Sequence, residues 1–231
     1  MAPSKITLYV DVVSPFAYEA FYILQNDPVF KDVQITYVPI FLGGLMKLCG
    51  NIAPISIKNK DKWILEERLR WAKHFNIPMA HEAPPDFPPV TLHTMRALSC
   101  VEDQAKLIKL LARFWEDFFV RHKPIAEKDV FEAVFKDVLG GEEGGRAIAE
   151  AGTKGKATLL SNTDRAFAAG AFGIPWFECT RDQGEKDSFW GVDHLGHVIR
   201  FLGLGMPDTW HSSASPTGGQ SRTSAGWKAV L

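Results

Sequence analysis

The chain has 231 residues, 46% of them hydrophobic, with 26 lysines and arginines against 27 aspartates and glutamates and a formal net charge of -1. That length suits one large domain or a core domain with an insertion, and the balanced charge argues against nucleic acid or an anionic membrane as the main partner. No apolar run approaches the roughly 18 residues that span a bilayer, and Cys49, Cys100 and Cys179 are too widely spaced to indicate a disulfide framework or a zinc site.

Ile6–Val10 alternates within a β-rich run and predicts a first strand that begins almost at the N-terminus, leaving no room for a signal or transit peptide. Ser14 is a good N-cap and Pro15 a favoured first helical residue, so a helix is expected over Phe16–Gln25. Val33–Phe41 predicts a second strand, ended by Gly43-Gly44, and β-α-β order implies a parallel pair. From Leu45 to Ala151 the chain reads as mainly helical. Asp61–Phe75 and Leu92–Val101 are predicted helices, with a proline-rich loop at Pro78, Pro84, Pro85, Pro88 and Pro89 between them. Leu107, Leu111, Phe114, Trp115, Phe118 and Phe119 recur at helical spacing, as do Val130, Phe131, Val134, Phe135, Val138 and Leu139. Stripes of this kind read as core rather than as a cofactor pocket.

The αβ pattern then resumes. Ser161-Asn162-Thr163-Asp164 has capping-box spacing and predicts a helix running to Ala171, stopped by Gly173 and Pro175. Trp176–Cys179 and Ser188–Trp190 read as strands, and Val192, Leu195, Ile199 and Leu202 mark a last amphipathic helix. Beyond Gly205 the composition turns to Ser, Thr and Gly and predicts a loosely attached tail. The expected fold is α/β: a thioredoxin-like core split by a helical insertion, as in proteins of the DsbA type. The core is expected over residues 1–44 and 156–204, the insertion over 45–155 and the tail over 205–231.

In a thioredoxin-type chain the redox motif Cys-x-x-Cys falls between the first strand and the first helix. Here the two cysteine positions hold Ser14 and Ala17. Thiol–disulfide exchange by the two-cysteine route is therefore excluded, and the groove is expected to serve another molecule's thiol.

The chain resembles the kappa-class glutathione transferases and the related 2-hydroxychromene-2-carboxylate isomerases over roughly residues 5 to 203. The resemblance is carried by Asp11-Val-Val-Ser14-Pro15, Gly44–Pro54, Ala169–Pro175 and Phe189-Trp-Gly-Val-Asp193, in that order and with the helical block between the second and third. It implies that Ser14 contacts the glutathione sulfur and that Asn51 and Lys60 serve the outer part of the tripeptide. Ile174, before a cis Pro175, would pair its backbone with the cysteinyl unit, and Asp193 would hold the γ-glutamyl end. The family often has serine just before that aspartate; Val192 stands there, leaving only a backbone N–H to serve. Lys58 and Lys62 flank Lys60 closely. The resemblance also implies glutathione as co-substrate with no metal, a small apolar electrophile as second substrate, and a homodimer. The cytoplasm is the default compartment, with mitochondria and peroxisomes as the family's other locations.

Each of these residues has a plainer reading. Ser14 is an N-cap, Pro175 a helix terminator, Asn51 a turn residue after Gly50, Lys60 one charge among several, and Asp193 a helix cap. Energetically, one serine at that helix start would suffice for the chemical role that the resemblance implies, without a general base. Activating a thiol of pKa near ~8.5 at pH 7 needs about 1.4–2.7 kcal/mol, and a hydrogen bond to a charged acceptor contributes about 1.5–3 kcal/mol. A helix N-terminus adds ~0.3–1 kcal/mol. Phe16, Trp63 and Trp176 are candidate linings for the electrophile. Cys49 lies beside the proposed site as a bystander, and His194 and His197 share a helix face without a third ligand.

The reading is therefore a glutathione transferase of kappa type. Two alternatives stand beside it: a glutathione-dependent isomerase, which would return glutathione unconsumed, and a non-enzymatic module that binds extended peptides in the same groove.

Overall fold

The computed structural model describes residues 3–207 and Trp210. Strand β1 (Lys5–Val10) buries Ile6, Leu8, Tyr9 and Val10, so both of its faces are covered, as expected of an inner strand flanked by helices. Helix α1 (Pro15–Asn26) begins where the sequence places it: Ser14 is extended, its hydroxyl accepts from the Ala17 N–H at 3.1 Å, and Pro15 opens the helix. Strand β2 (Gln34–Pro39) returns parallel to β1. It is shorter than predicted at both ends: Pro39 is its last residue, and the Ile40 N–H still donates to the Val10 carbonyl of β1 at 2.9 Å.

The helical block follows as α2 (Leu42–Leu48), α3 (Lys60–His74), α4 (Leu92–Leu98), α5 (Gln104–Phe119), α6 (Lys128–Leu139) and α7 (Gly141–Glu150). The stripe along α5 is core, with Leu107, Leu111, Phe114, Trp115, Phe118 and Phe119 no more than 1% exposed. Burying each contributes on the order of 1.5–3 kcal/mol. Trp115 lies 4.9 Å from Phe21 and 5.8 Å from Tyr18 of α1, ring centre to ring centre, so this stripe also glues the block to the first helix of the core. Helix α7 lies within the stretch expected to be mainly helical, although four glycines between 140 and 145 lower its helix propensity.

A π turn at Ala151–Gly155 leads into α8 (Lys156–Ala168). The expected helix start at Ser161–Asp164 is corrected here, because those residues lie inside α8. Thr163 donates to the Leu159 carbonyl (2.8 Å) and accepts from the Phe41 N–H (3.1 Å), while the Asn162 amide donates to the Pro39 carbonyl (3.0 Å). The polar run that imitates a cap instead holds the end of β2. The helix is stopped by Gly170, at φ 93°, rather than by Gly173.

Strands β3 (Trp176–Thr180) and β4 (Lys186–Trp190) complete a sheet of order β2-β1-β3-β4, with β3 antiparallel to both of its neighbours. A 3₁₀ turn, Val192–His194, leads to α9 (Leu195–Phe201). Beyond it Trp210 is seated against the core: its indole N–H donates to Asp27 (2.7 Å), and its ring lies 4.9 Å from Phe75 and 6.5 Å from Phe30. Most of the segment expected to be a loose tail lies outside the described residues. No helix among the described residues is long and apolar enough to cross a membrane.

Candidate functional site

The sheet register brings the motifs together. Tyr9 of β1 faces Trp176, the first residue of β3, and Trp176 faces Trp190, the last of β4. Residues 11–14 after β1, 174–175 before β3 and 191–193 after β4 therefore converge at one end of the sheet. The Gly191 N–H donates to the Pro175 carbonyl at 3.0 Å and ties two of these segments directly.

The first wall is knotted by Asp11, whose carboxylate is fully buried. It accepts from the Val13 N–H (3.2 Å), the Leu42 N–H (2.9 Å) and the Thr91 hydroxyl (2.7 Å). One side chain thus joins the turn before Ser14, the start of α2 and the residue preceding α4. Burial pushes the Asp11 carboxyl up to about 6, with the three donors opposing. Asp11 stood in the sequence motif but was not singled out; the available signal was an aspartate three residues before the cap, in a turn whose backbone donors need an acceptor.

Ser14 sits at the end of this knot, 6% exposed, with its backbone N–H bonded to the Asp11 carbonyl (3.1 Å). Its Oγ accepts from Ala17, and among the described residues it donates to no protein acceptor. A hydroxyl proton at a helix N-terminus is thereby left for a ligand.

The second wall is the segment Ala171–Pro175. The Ile174–Pro175 peptide is cis. Ile174 is 8% exposed, and among the described residues neither its N–H nor its carbonyl enters a backbone hydrogen bond. Backbone groups at such a position demand a partner, and an extended peptide supplies one by β-like pairing. Gly173 lets Trp190 close on this wall, since a Cβ there would stand 2.9 Å from the indole nitrogen. Phe172 packs on Trp190 at 4.9 Å and on Trp176 at 5.8 Å.

The remaining candidates spread around this groove. Asn51 follows α2, and its side chain is already engaged: the amide donates to the Phe172 carbonyl (3.0 Å) and the oxygen accepts from the Ile52 N–H (2.9 Å). The Cys49 thiol donates to the Ala171 carbonyl at 3.4 Å. Lys60 is exposed at the first position of α3, and Trp63, one turn on, is 52% exposed. Val192 is buried, while Asp193 is exposed and turned toward His194, 3.4 Å from the imidazole Nδ1. Phe16 is partly buried against the core. Trp176 is 8% exposed, with its indole N–H buried and unpartnered, so it backs the wall more than it lines the mouth.

Sequence reasoning did not reach a small cleft beside Pro15, lined by Ile64, Leu65 and Arg68 of α3 together with Ala83, Pro84, Phe87 and Phe119. Arg68 is almost fully buried and donates to the carbonyls of Ala80 (2.9 Å) and His81 (2.6 Å), which fixes the proline-rich loop against α3. Its burial lowers the guanidinium pKa, while the nearby Glu19 of α1, itself buried and held well above the usual carboxylate range by desolvation, opposes that shift.

These features define a thioredoxin-fold protein of the DsbA-like type whose catalytic thiol has been replaced by a hydroxyl. Comparison with known proteins agrees. The DSBA-like thioredoxin domain family matches residues 5–201. Glutathione S-transferase kappa 1 of Caenorhabditis elegans is 31% identical over 208 residues, 86% of this chain and 90% of that one. Glutathione S-transferase kappa 1 of Rattus norvegicus is 26% identical over 225 residues, 94% and 96% of the two chains. Among solved structures, 2-hydroxychromene-2-carboxylate isomerase superposes with a TM-score of 0.73 at 18% identity, over 86% of this chain and 94% of that one. The chain belongs to the DsbA-like thioredoxin family and, within it, to the kappa-class glutathione transferases.

Proposed function

We propose that this protein binds glutathione between Ser14 and Ile174–Pro175 and activates its thiol for attack on a small apolar electrophile. The carrying observation is the pairing of the two walls: a buried hydroxyl at a helix N-terminus that donates to no acceptor among the described residues, with Ile174, whose N–H and carbonyl enter no backbone hydrogen bond there. The second positions the cysteinyl unit, and the first then donates to its sulfur. A charge-assisted bond of about 1.5–3 kcal/mol lowers a thiol pKa by roughly one to two units, enough to populate the thiolate at neutral pH without a general base.

In this reading Asp193 and the 3₁₀ turn at 192–194 receive the γ-glutamyl end, and Lys60 the outer carboxylate. The electrophile enters over Pro15 and Phe16, with Trp63 nearby at the start of α3. A homodimer in the cytoplasm is part of the proposal; light scattering on the purified protein tests the first element.

The deciding experiment is a glutathione titration of wild type and Ser14→Ala, followed by thiolate ultraviolet absorbance across pH. A saturable signal with an apparent pKa below that of free glutathione, lost in the variant, supports the reading. Absence of binding at millimolar glutathione would sink it. Product analysis then separates transfer, which leaves a stable conjugate, from isomerisation, which returns glutathione.

A further inference from the structure

The structure assigns a second role to the excursion over residues 47–63, from the end of α2 to the first turn of α3: it docks on the surface of an anionic lipid bilayer. The docking stands on this surface alone and not on the glutathione reading.

Nine large hydrophobic side chains are exposed among the described residues, and four of them, Leu48, Ile52, Ile57 and Trp63, fall within this excursion. A single exposed leucine on a protein surface asks for no explanation, but such a concentration does. The excursion is built from turns that fix its backbone. Gly50, at φ 66°, closes α2, and the Asn51 N–H donates back to the Met46 carbonyl (2.8 Å). The 3₁₀ turn Pro54–Ser56 follows, with the Ile57 N–H on the Pro54 carbonyl (3.1 Å). The Lys60 and Trp63 N–H groups then bond to the carbonyls of Ile57 (3.0 Å) and Asn59 (3.2 Å). Two more of the nine, Phe172 and Trp190, adjoin this surface: the Asn51 amide donates to the Phe172 carbonyl (3.0 Å), and the rings of Phe172 and Trp190 lie 4.9 Å apart.

The charge of the same stretch selects the partner. It carries Lys47, Lys58, Lys60 and Lys62 against Asp61 alone, a local charge of +3 in a chain whose total is -1. All four lysines are exposed. The lysine ion pairs among the described residues belong to Lys106, Lys123, Lys128, Lys136 and Lys154, so none of the four is neutralised there. A second copy of the chain fits poorly, because a twofold contact sets lysine against lysine. A nucleic-acid backbone would meet the lysines but leave the aliphatic side chains in water. An anionic bilayer satisfies both sets at once. Its headgroups take the ammonium groups, while Ile52, Ile57 and the Trp63 ring enter the interface, where indole is favoured. The near-neutral total gives no general attraction, so the association is local, reversible and sensitive to salt. It turns toward the bilayer the stretch that carries Lys60 and Trp63, where apolar molecules concentrate.

The test is cosedimentation of the full chain, without glutathione, with vesicles of phosphatidylcholine alone and of phosphatidylcholine with one third phosphatidylserine. The expected result is binding only to the anionic vesicles, fading as salt rises. Each lysine near such a surface is worth about fivefold in partition, so the double variant Lys58→Gln/Lys62→Gln should bind roughly 10- to 30-fold more weakly. Ile57→Ser should lose severalfold, because less apolar surface enters the interface. The control Lys128→Gln/Lys136→Gln on α6 should bind as wild type. No binding of wild type to anionic vesicles at low salt, equal binding to neutral ones, or equal losses in the two double variants would overturn the proposal. So would self-association of wild type without lipid that the Ile57 and lysine variants abolish, which would give this face to a second copy of the chain.

Discussion

The two walls of the groove are held by different physics. The Asp11–Ser14 wall depends on one buried carboxylate with three donors, two of them from beyond its own turn. The Ala171–Pro175 wall carries no charge; it is held by polar donors to main-chain carbonyls and by packed aromatic rings. A charged anchor is strong and sensitive to pH, whereas distributed neutral contacts are individually weak and insensitive to it. In the proposed mechanism, the wall that would act on the thiol is thus the one linked to the titration of a buried acid, and the wall that would position the peptide is not.

The sharpest break in this comparison comes at Ser14. Ser14→Ala should lower kcat/KM at pH 7 about 10- to 100-fold, the equivalent of one charge-assisted hydrogen bond. Much of the loss should return as pH rises and solvent supplies the thiolate. A deficit that stays constant with pH would mean that Ser14 orients the ligand instead of activating it.

Asp11→Asn comes next. One buried donor then faces an amide NH₂ in place of a carboxylate oxygen, which costs roughly 1–3 kcal/mol of stability in chemical denaturation. The pH dependence follows from the raised pKa. The folded carboxyl titrates near 6 against an ordinary 3.8, so the native state holds the extra proton between those values. The contribution of this group is fully present below about pH 4 and is lost as pH rises toward about 6, a change on the order of 3 kcal/mol. The Asn variant should lack that slope. An unchanged slope would show that the carboxyl is not the titrating group.

Gly173→Ala tests the neutral wall. The added methyl meets the Trp190 indole and should shift that ring and the loop, raising KM for glutathione severalfold, about 1 kcal/mol. The effect should be the same at pH 5.5 and pH 8. Strong pH dependence here would erase the contrast between the walls.

Trp210→Ala is the smallest perturbation of the site. It removes the bond to Asp27 and the ring contacts with Phe30 and Phe75, at about 1–2 kcal/mol of stability. Kinetic constants should stay at wild-type values; altered glutathione affinity would reveal coupling from this seat to the groove.

Sequence reading succeeded where a signal repeats within a few residues. The cap at Ser14, the stripe from Leu107 to Phe119 and the strands around Leu8 and Phe177 follow from hydrophobic spacing and capping chemistry, which act over one or two turns. It misplaced the start of α8 because Ser161–Asp164 has cap spacing, yet its hydroxyl and carboxamide bond to β2 and its neighbours, more than a hundred residues upstream. It placed α7 inside a mainly helical block without giving its bounds, since four glycines between 140 and 145 blur the helical pattern there.

By itself, then, the sequence determined the order of elements, the helix N-terminus that carries Ser14 and the loss of both motif thiols, because each is written in neighbouring residues. Tertiary structure alone decided what Asp11 and Asn51 do. Their partners, Thr91 and Phe172, lie 80 and 121 positions away along the chain. Nothing local marks such pairs, since a carboxylate or carboxamide in a turn bonds equally well to water until the fold removes the water and supplies a donor or a carbonyl in its place.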